Sequence, residues 1–267
     1  MPSTTPITSA LASSGMARRM LKVSSISGHN KGFNDVINVA IDSAPPTSLD
    51  SSQELARFNM IEQQIRPWDV LDPLVLQSLR TIRREDFVPP GRRALAFIDS
   101  EIPLSEGQVM LAPKLEARLL QELDLQSTDQ VLEIGAGSGH MAALLSTQAQ
   151  QVTTIEIRPG LAKLAQDNLE QAGIRNVTVN QGDGLSLDGW SNRQFDAVLV
   201  SGGLSFLPNS LRALLKTGGR LISIVGEAPI MRAIRIERRP EGFVEEGLFE
   251  TLVPMLDNVP KTKRFNF

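Results

Sequence analysis

Past residue 113 the chain alternates short β-branched and aliphatic runs with longer amphipathic stretches. The pattern predicts strands at 130–134, 152–157, 177–180, 197–200 and 221–225, with helices at 115–123, 140–148, 159–172 and 208–215. Strands separated by helices of this length build a parallel sheet covered on both faces, so the expected fold class is α/β and doubly wound. Two further alternating runs, 233–239 and 242–249, are joined through Pro240-Glu241-Gly242 and predict a C-terminal antiparallel hairpin.

Ahead of this region, Leu55, Phe58, Ile61 and Ile65 recur at helical spacing until Pro67 ends the run. A second helix over 73–82 has Asp72 as its N-cap and Pro73 in its first turn. The charged turn Arg83-Arg84-Glu85-Asp86-Phe87-Val88-Pro89-Pro90 then leads into extended chain. Residues 1–52 are rich in Ser, Thr and Pro without a sustained period, the composition of a segment that cannot repay its ordering entropy. The expected organisation is a disordered extension over 1–52, a helical cap and substrate-side segment over 53–112, and a cofactor-binding domain over 113–267. The basic and apolar residues from Met16 to Val23 read as part of the extension rather than as a targeting signal.

Composition narrows the chemistry. The chain has 267 residues and no cysteine, which excludes disulfides, thiolate metal sites and a cysteine nucleophile. Its histidines, His29 and His140, leave no ligand set for a multi-histidine metal site. A formal net charge of −3 offers no general attraction to nucleic acid or anionic lipid. No apolar run approaches the roughly 20 residues that cross a bilayer. The expectation is a soluble protein without nucleic-acid or membrane partners.

The loop Gly135-Ala136-Gly137-Ser138-Gly139 follows the first predicted strand, where glycines permit a sharp turn and close backbone approach, with a helix N-terminus aimed at the same place. A dinucleotide-binding fingerprint would place glycine at its sixth position, which here is His140. The loop therefore suits a compact nucleoside with an amino-acid tail better than a pyrophosphate. Glu156 ends the second predicted strand, where a carboxylate can take both hydroxyls of a ribose. Gly182-Asp183-Gly184 follows the third, and Asp183 can accept from an exocyclic adenine amine.

These segments, with Phe195-Asp196-Ala197-Val198 and Leu214-Leu215-Lys216-Thr217-Gly218-Gly219-Arg220-Leu221, resemble the successive motifs of class I S-adenosylmethionine methyltransferases, whose sheet is Rossmann-like. Arg84-Glu85-Asp86-Phe87-Val88-Pro89, Ile102-Pro103-Leu104 and Gly107-Gln108 further resemble the N-terminal part of protein-L-isoaspartate O-methyltransferases. The resemblance implies S-adenosylmethionine as cofactor, held by Glu133, Gly135, Gly137, Gly139, Glu156, Asp183 and Gly184. It also implies an isoaspartyl protein or peptide as substrate, repair of damaged proteins as the role, and a cytoplasmic monomer. Relatives carry Gly-Gln-Thr-Ile-Ser before a proline, with the Ser hydroxyl beside the methyl-accepting carboxylate. Here the stretch is Gly107-Gln108-Val109-Met110-Leu111-Ala112-Pro113, so Leu111 stands in the hydroxyl's place and no catalytic residue is assigned. A methyltransferase with another acceptor and a non-catalytic cofactor-binding protein remain the alternatives.

Other candidates have plainer expectations. His140, at a helix start, is read as a surface or packing residue, and Trp68 as packing. Trp190 fits packing or a pocket wall equally, Asp99 and Glu106 are read as turn carboxylates, and the arginines at 235–239 as a solvated strand face.

Overall fold

The computed structural model describes residues 52–186 and 192–259; the expectations for 1–51, including His29, and for Trp190 lie outside them. Helix α1 (Ser52–Met60) runs on through a wider turn, Ile61–Ile65, and ends where Pro67 is expected to stop it. It buries Met60, Ile61 and Ile65. Helix α2 (Pro73–Thr81) is capped as predicted: the Asp72 carboxylate accepts from the N–H groups of Leu74 at 2.8 Å and Val75 at 3.4 Å. Two short turns follow, Arg84–Asp86 and Pro90–Leu95. Then comes a small antiparallel pair, β1 (Ile102–Pro103) and β2 (Val109–Met110), which lies below the length that periodicity can detect.

The main unit runs α3 (Pro113–Leu123), β3 (Gln130–Ile134), α4 (His140–Ser146), β4 (Gln151–Glu156), α5 (Pro159–Gln171), β5 (Val177–Gln181), β6 (Phe195–Leu204), α6 (Asn209–Ala213), β7 (Leu215–Glu227), β8 (Ile230–Arg239) and β9 (Gly242–Glu250). Its seven strands lie in the order β5-β4-β3-β6-β7-β8-β9. Pairing is parallel from β5 to β7 and antiparallel from β7 through β9. The doubly wound sheet and the C-terminal hairpin both follow the sequence reading. Connections run outward in both directions from β3, so the ligand crevice is expected beyond its carboxyl end.

Period-2 alternation divides the core between the two faces of the sheet. Val131, Ala197 and Leu199 pack with α3 and α4, whereas Leu132, Val198 and Val200 pack with Leu211 and Leu214 around α6. Several element lengths differ from expectation. Helix α4 stops at Ser146 rather than at 148, because the hydroxyls of Ser146 and Thr147 donate back to the carbonyls of Ala143 and Leu144, each at 2.7 Å. Strands β6 and β7 are both longer than predicted, and the Phe195–Leu215 pairing takes into the sheet a residue assigned to a helix. That leaves α6 as a single short helix, with a register shift between Phe195 and Ala197 absorbing the irregularity.

Arg220 on β7 ties the sheet to the end of α3. Its buried guanidinium donates to the carbonyls of Leu123 and Asp124, the latter at 2.7 Å, and pairs with the Asp129 carboxylate at 2.5 Å. Removing the cation would leave the buried Asp129 carboxylate without its counter-charge, with only the Gln126 N–H still donating to Oδ2 at 2.8 Å, and would take a donor from the Leu123 and Asp124 carbonyls. Arg220→Met is therefore expected to lower unfolding free energy by roughly 3–5 kcal/mol. Urea midpoints measure this, and a loss below about 1 kcal/mol would contradict the role given to this side chain.

Candidate active site

The loop between β3 and α4 leaves the sheet with the Gly135 N–H donating to the Ile155 carbonyl at 2.8 Å. All three of its glycines sit at positive φ, Gly137 at 53°. Gly135 has φ of 96°, and Gly139 has φ of 83° with any Cβ placed 3.1 Å from the Ala165 carbonyl oxygen of α5. Between them the Gly137 N–H donates to Glu156 Oε2 at 2.9 Å, while Glu156 Oε1 accepts from the Arg158 N–H at 3.0 Å. The carboxylate that ends β4 thus holds the glycine loop in place. After β5, Asp183 Oδ1 accepts from the Leu185 N–H at 2.8 Å and Oδ2 from the Asn258 amide at 3.1 Å.

These groups line a solvent-open crevice of about 560 Å³ beyond the ends of β3, β4 and β5. Gly135, Gly137, Glu156, Asp183 and Gly184 meet on its walls with apolar contributions from Ile134, Ile157 and Leu185. Glu156, Asp183 and Asp257 give it acceptors and negative charge, which suit a ligand rich in hydroxyl and amino donors and carrying positive charge. Gly139 stands behind the loop against α5. Glu133 lies fully buried, outside the crevice lining, and accepts from the hydroxyls of Thr154 at 2.7 Å and Ser201 at 2.8 Å. Burial pushes the Glu133 carboxyl up to about 8 despite these two hydrogen bonds.

The sequence reading missed the C-terminal contribution. Residues 254–258 cross the crevice: the Gly203 N–H donates to the Pro254 carbonyl at 2.8 Å, and the Leu256 N–H donates to the Gly203 carbonyl at 3.0 Å. Arg158 grips the Asp257 carboxylate through Nε at 2.8 Å and Nη2 at 3.0 Å. Val253, Met255 and Leu256 beyond the last predicted strand are the available signal, since apolar residues after a sheet edge need something to cover.

A second pocket of about 280 Å³ adjoins the crevice, sharing Val109, Gly135, Gly137 and Ser201 with it. Leu111, Glu116 and His140 stand on its wall. Contrary to the expectation of a surface or packing role, His140 belongs to a buried polar cluster. Its Nδ1 lies 2.9 Å from Glu116 Oε2, which also pairs with Arg84, and Arg84 Nη2 donates to the Leu111 carbonyl at 2.6 Å. Burial pushes the Glu116 carboxyl up, but the charges of Arg84 and His140 and their hydrogen bonds outweigh it, so the net displacement is downward. Burial lowers the His140 pKa, with Glu116 opposing. Asp99 pairs with Lys114 at 2.5 Å, and Trp68 packs edge-on against Phe249 with Lys114 above its ring.

The Protein-L-isoaspartate(D-aspartate) O-methyltransferase (PCMT) family profile matches residues 56–258. The chain is 43% identical to protein-L-isoaspartate O-methyltransferase 1 of Rhodopseudomonas palustris (strain HaA2), over 73% of this chain and 80% of the relative. It is 38% identical to protein-L-isoaspartate O-methyltransferase 2 of Pelobacter propionicus, over 71% of this chain and 84% of that one. A solved Plasmodium falciparum structure, described as a protein-L-isoaspartate O-methyltransferase in complex with S-adenosyl-L-homocysteine, has a TM-score of 0.67 at 20% identity, covering 74% of this chain and 97% of its own. At that identity the likeness speaks to the fold.

Glu133 has a stability consequence of definite sign. With its folded pKa raised from 4.5 to about 8, the folded state keeps a proton that the unfolded chain releases above pH 4.5. Its favourable contribution is complete below that value and is lost as pH rises to about 8. Glu133→Gln, neutral throughout, is expected to gain stability relative to wild type between pH 5 and 8, roughly the interval between the two pKa values. Urea midpoints at several pH values test this, and a pH-independent difference would contradict it.

Proposed function

The chain belongs to the protein-L-isoaspartate O-methyltransferase family, and from that premise we propose that it methylates the α-carboxylate of isoaspartyl residues with S-adenosylmethionine, placing the cofactor in the crevice and the acceptor in the adjoining pocket. The observation that carries the placement is the convergence of Gly135, Gly137, Glu156 and Asp183 on one crevice that opens beside Leu111.

The lining fits this cofactor chemically. Each Glu156 oxygen already accepts one backbone N–H and retains a lone pair for a ribose hydroxyl. Asp183 faces the same crevice and supplies an acceptor for the adenine amine. Gly135 and Gly137 let the methionine end approach the backbone, and the crevice carboxylates suit its ammonium and sulfonium charges. Gly139 and Glu133 act from behind the loop, by backing it on α5 and by bonding Thr154 and Ser201.

When bound, the cofactor supplies a methyl group on a cationic sulfur, and transfer to a carboxylate oxygen leaves a neutral thioether. The nucleophile is already anionic, so the protein's contribution is orientation and exclusion of water rather than proton removal. Leu111 and Met110 make the acceptor side apolar, and Arg84 fixes the Leu111 backbone. No helix among the described residues is long and apolar enough to cross a membrane. The family resemblance implies a cytoplasmic monomer, and a net charge of −3 offers no general attraction to nucleic acid.

Labelled methyl is expected to pass to an isoaspartyl peptide and not to its aspartyl counterpart; tight cofactor binding with no labelling of the isoaspartyl peptide would overturn the assignment of acceptor. Glu156→Ala is expected to weaken cofactor binding about ten- to hundredfold, the loss of one or two hydrogen bonds to a charged group. Calorimetry measures this, and an unchanged Kd would remove Glu156 from the site. Leu111→Ser should leave cofactor Kd unchanged and lower the peptide KM about fivefold, the worth of roughly one hydrogen bond.

A further inference from the structure

The acceptor pocket holds one polar group for which methyl transfer to a carboxylate has no obvious use. Glu116 Oε2 lies within bonding distance of both Arg84 Nη1 and His140 Nδ1, and Arg84 Nη1 is 3.2 Å from that same Nδ1. An ionised carboxylate oxygen bonds donors, and a guanidinium has no lone pair to offer the ring. Nδ1 could accept from Arg84 Nη1 or donate to Glu116, and the shorter 2.9 Å contact, to an anionic oxygen that would repel a bare lone pair, favours the hydrogen on Nδ1 with Glu116 accepting from both neighbours. In the neutral ring Nε2 is then a bare acceptor.

The groups packed around the ring favour that neutral form. Arg84 and Glu85 face it from the turn after α2, Glu116 from α3, and Phe87 packs edge-on with its ring centroid 5.4 Å away. Burial works against the imidazolium more strongly than Glu116 favours it. Among the described residues no protein group hydrogen-bonds Nε2, while the ring stands on the pocket wall beside Leu111. On a residue only 2% exposed, an acceptor that has no protein donor and is open to the pocket can take one from a ligand.

We propose that His140 is a specificity-determining residue of the acceptor pocket, its Nε2 accepting a hydrogen bond from the peptide N–H of the isoaspartyl residue. The inference rests on the isoaspartyl reading above. In an isoaspartyl residue this N–H is carried by the same carbon that bears the free carboxylate. In an ordinary aspartyl residue the carboxylate stands one methylene farther from its N–H. A carboxylate seated against the methyl donor can therefore place a donor on His140 in the first case and not in the second. Sites that bond a substrate N–H discriminate strongly against analogues lacking it, because their own buried polar group is left unpaired. Glu116 and Arg84 act through His140 and are positioning residues, fixing its tautomer and ring.

The test uses the full chain, an isoaspartyl peptide, and the matching depsipeptide in which an ester oxygen replaces the isoaspartyl N–H. Methyl transfer and cofactor Kd are measured for wild type, His140→Phe and His140→Gln. Wild type should prefer the N–H peptide by roughly 20-fold or more in kcat/KM, mainly through KM, as expected for a donor facing an acceptor that the bound peptide closes off from water. In His140→Phe the two peptides should fall within about twofold of each other, and His140→Gln, whose amide oxygen can accept, should recover part of the preference. Cofactor Kd should be unchanged in both variants. Equal use of the two peptides by wild type overturns the proposal without any variant having to fold, as does an undiminished preference in His140→Phe. Selective labelling of isoaspartyl over aspartyl peptide together with such an outcome would leave the repair reading standing. Transfer to neither peptide would remove that reading and this inference together.

Discussion

A single hydrogen bond, from the Gly137 N–H to the Glu156 carboxylate at 2.9 Å, fastens the glycine loop of β3 to the end of the neighbouring strand. Most of the site's geometry depends on it. The loop must turn out of the sheet before α4 can begin, and left-handed glycines at 135 and 139 make that turn possible. Gly139 then brings the loop onto α5 with no room for a side chain. With the loop so placed, Glu156 and Asp183 face one crevice from successive strand ends. The parallel order of β5, β4 and β3 carries these separate segments to a common edge.

The second constraint is the buried cluster of Arg84, Glu116 and His140. Burying an ion pair costs desolvation that the pair barely recovers, so stability alone gives little reason to keep one. Its placement is more informative. Arg84 reaches the carbonyls of Ala96 at 3.0 Å and Leu111 at 2.6 Å, joining the N-terminal helices to the stretch that lines the second pocket. Glu116 joins the same cation to the first residue of α4. The N-terminal helices, the stretch at 109–111 and the helix after the glycine loop therefore share one charged centre.

The fold was largely legible because parallel strands and covering helices impose different periods on the same chain. Strand 130–134 and the hairpin turn at Pro240-Glu241 appear where periodicity places them. The extension of β7 back to Leu215 was not legible, since Gly218 and Gly219 read locally as a turn while the pairing with β6 is a tertiary matter. The crevice residues Gly135, Gly137, Glu156 and Asp183 were legible as a set because each stands at or just beyond the end of a strand. His140 was not, because nothing in its local sequence announces that Arg84 and Glu116, 56 and 24 residues away, meet it. Leu256 and Asp257 were missed for the same reason: their partners Gly203 and Arg158 are brought near only by the folded sheet.

The central claim is that one crevice holds the methyl donor and the adjoining pocket holds the acceptor. It is tested most directly by a crystal structure with S-adenosylhomocysteine and an isoaspartyl peptide bound. The account predicts ribose hydroxyls on Glu156, the adenine amine at Asp183, and the isoaspartyl carboxylate between the sulfur and Leu111. A nucleoside bound away from Glu156, or a peptide carboxylate outside the pocket lined by Leu111 and His140, would contradict it.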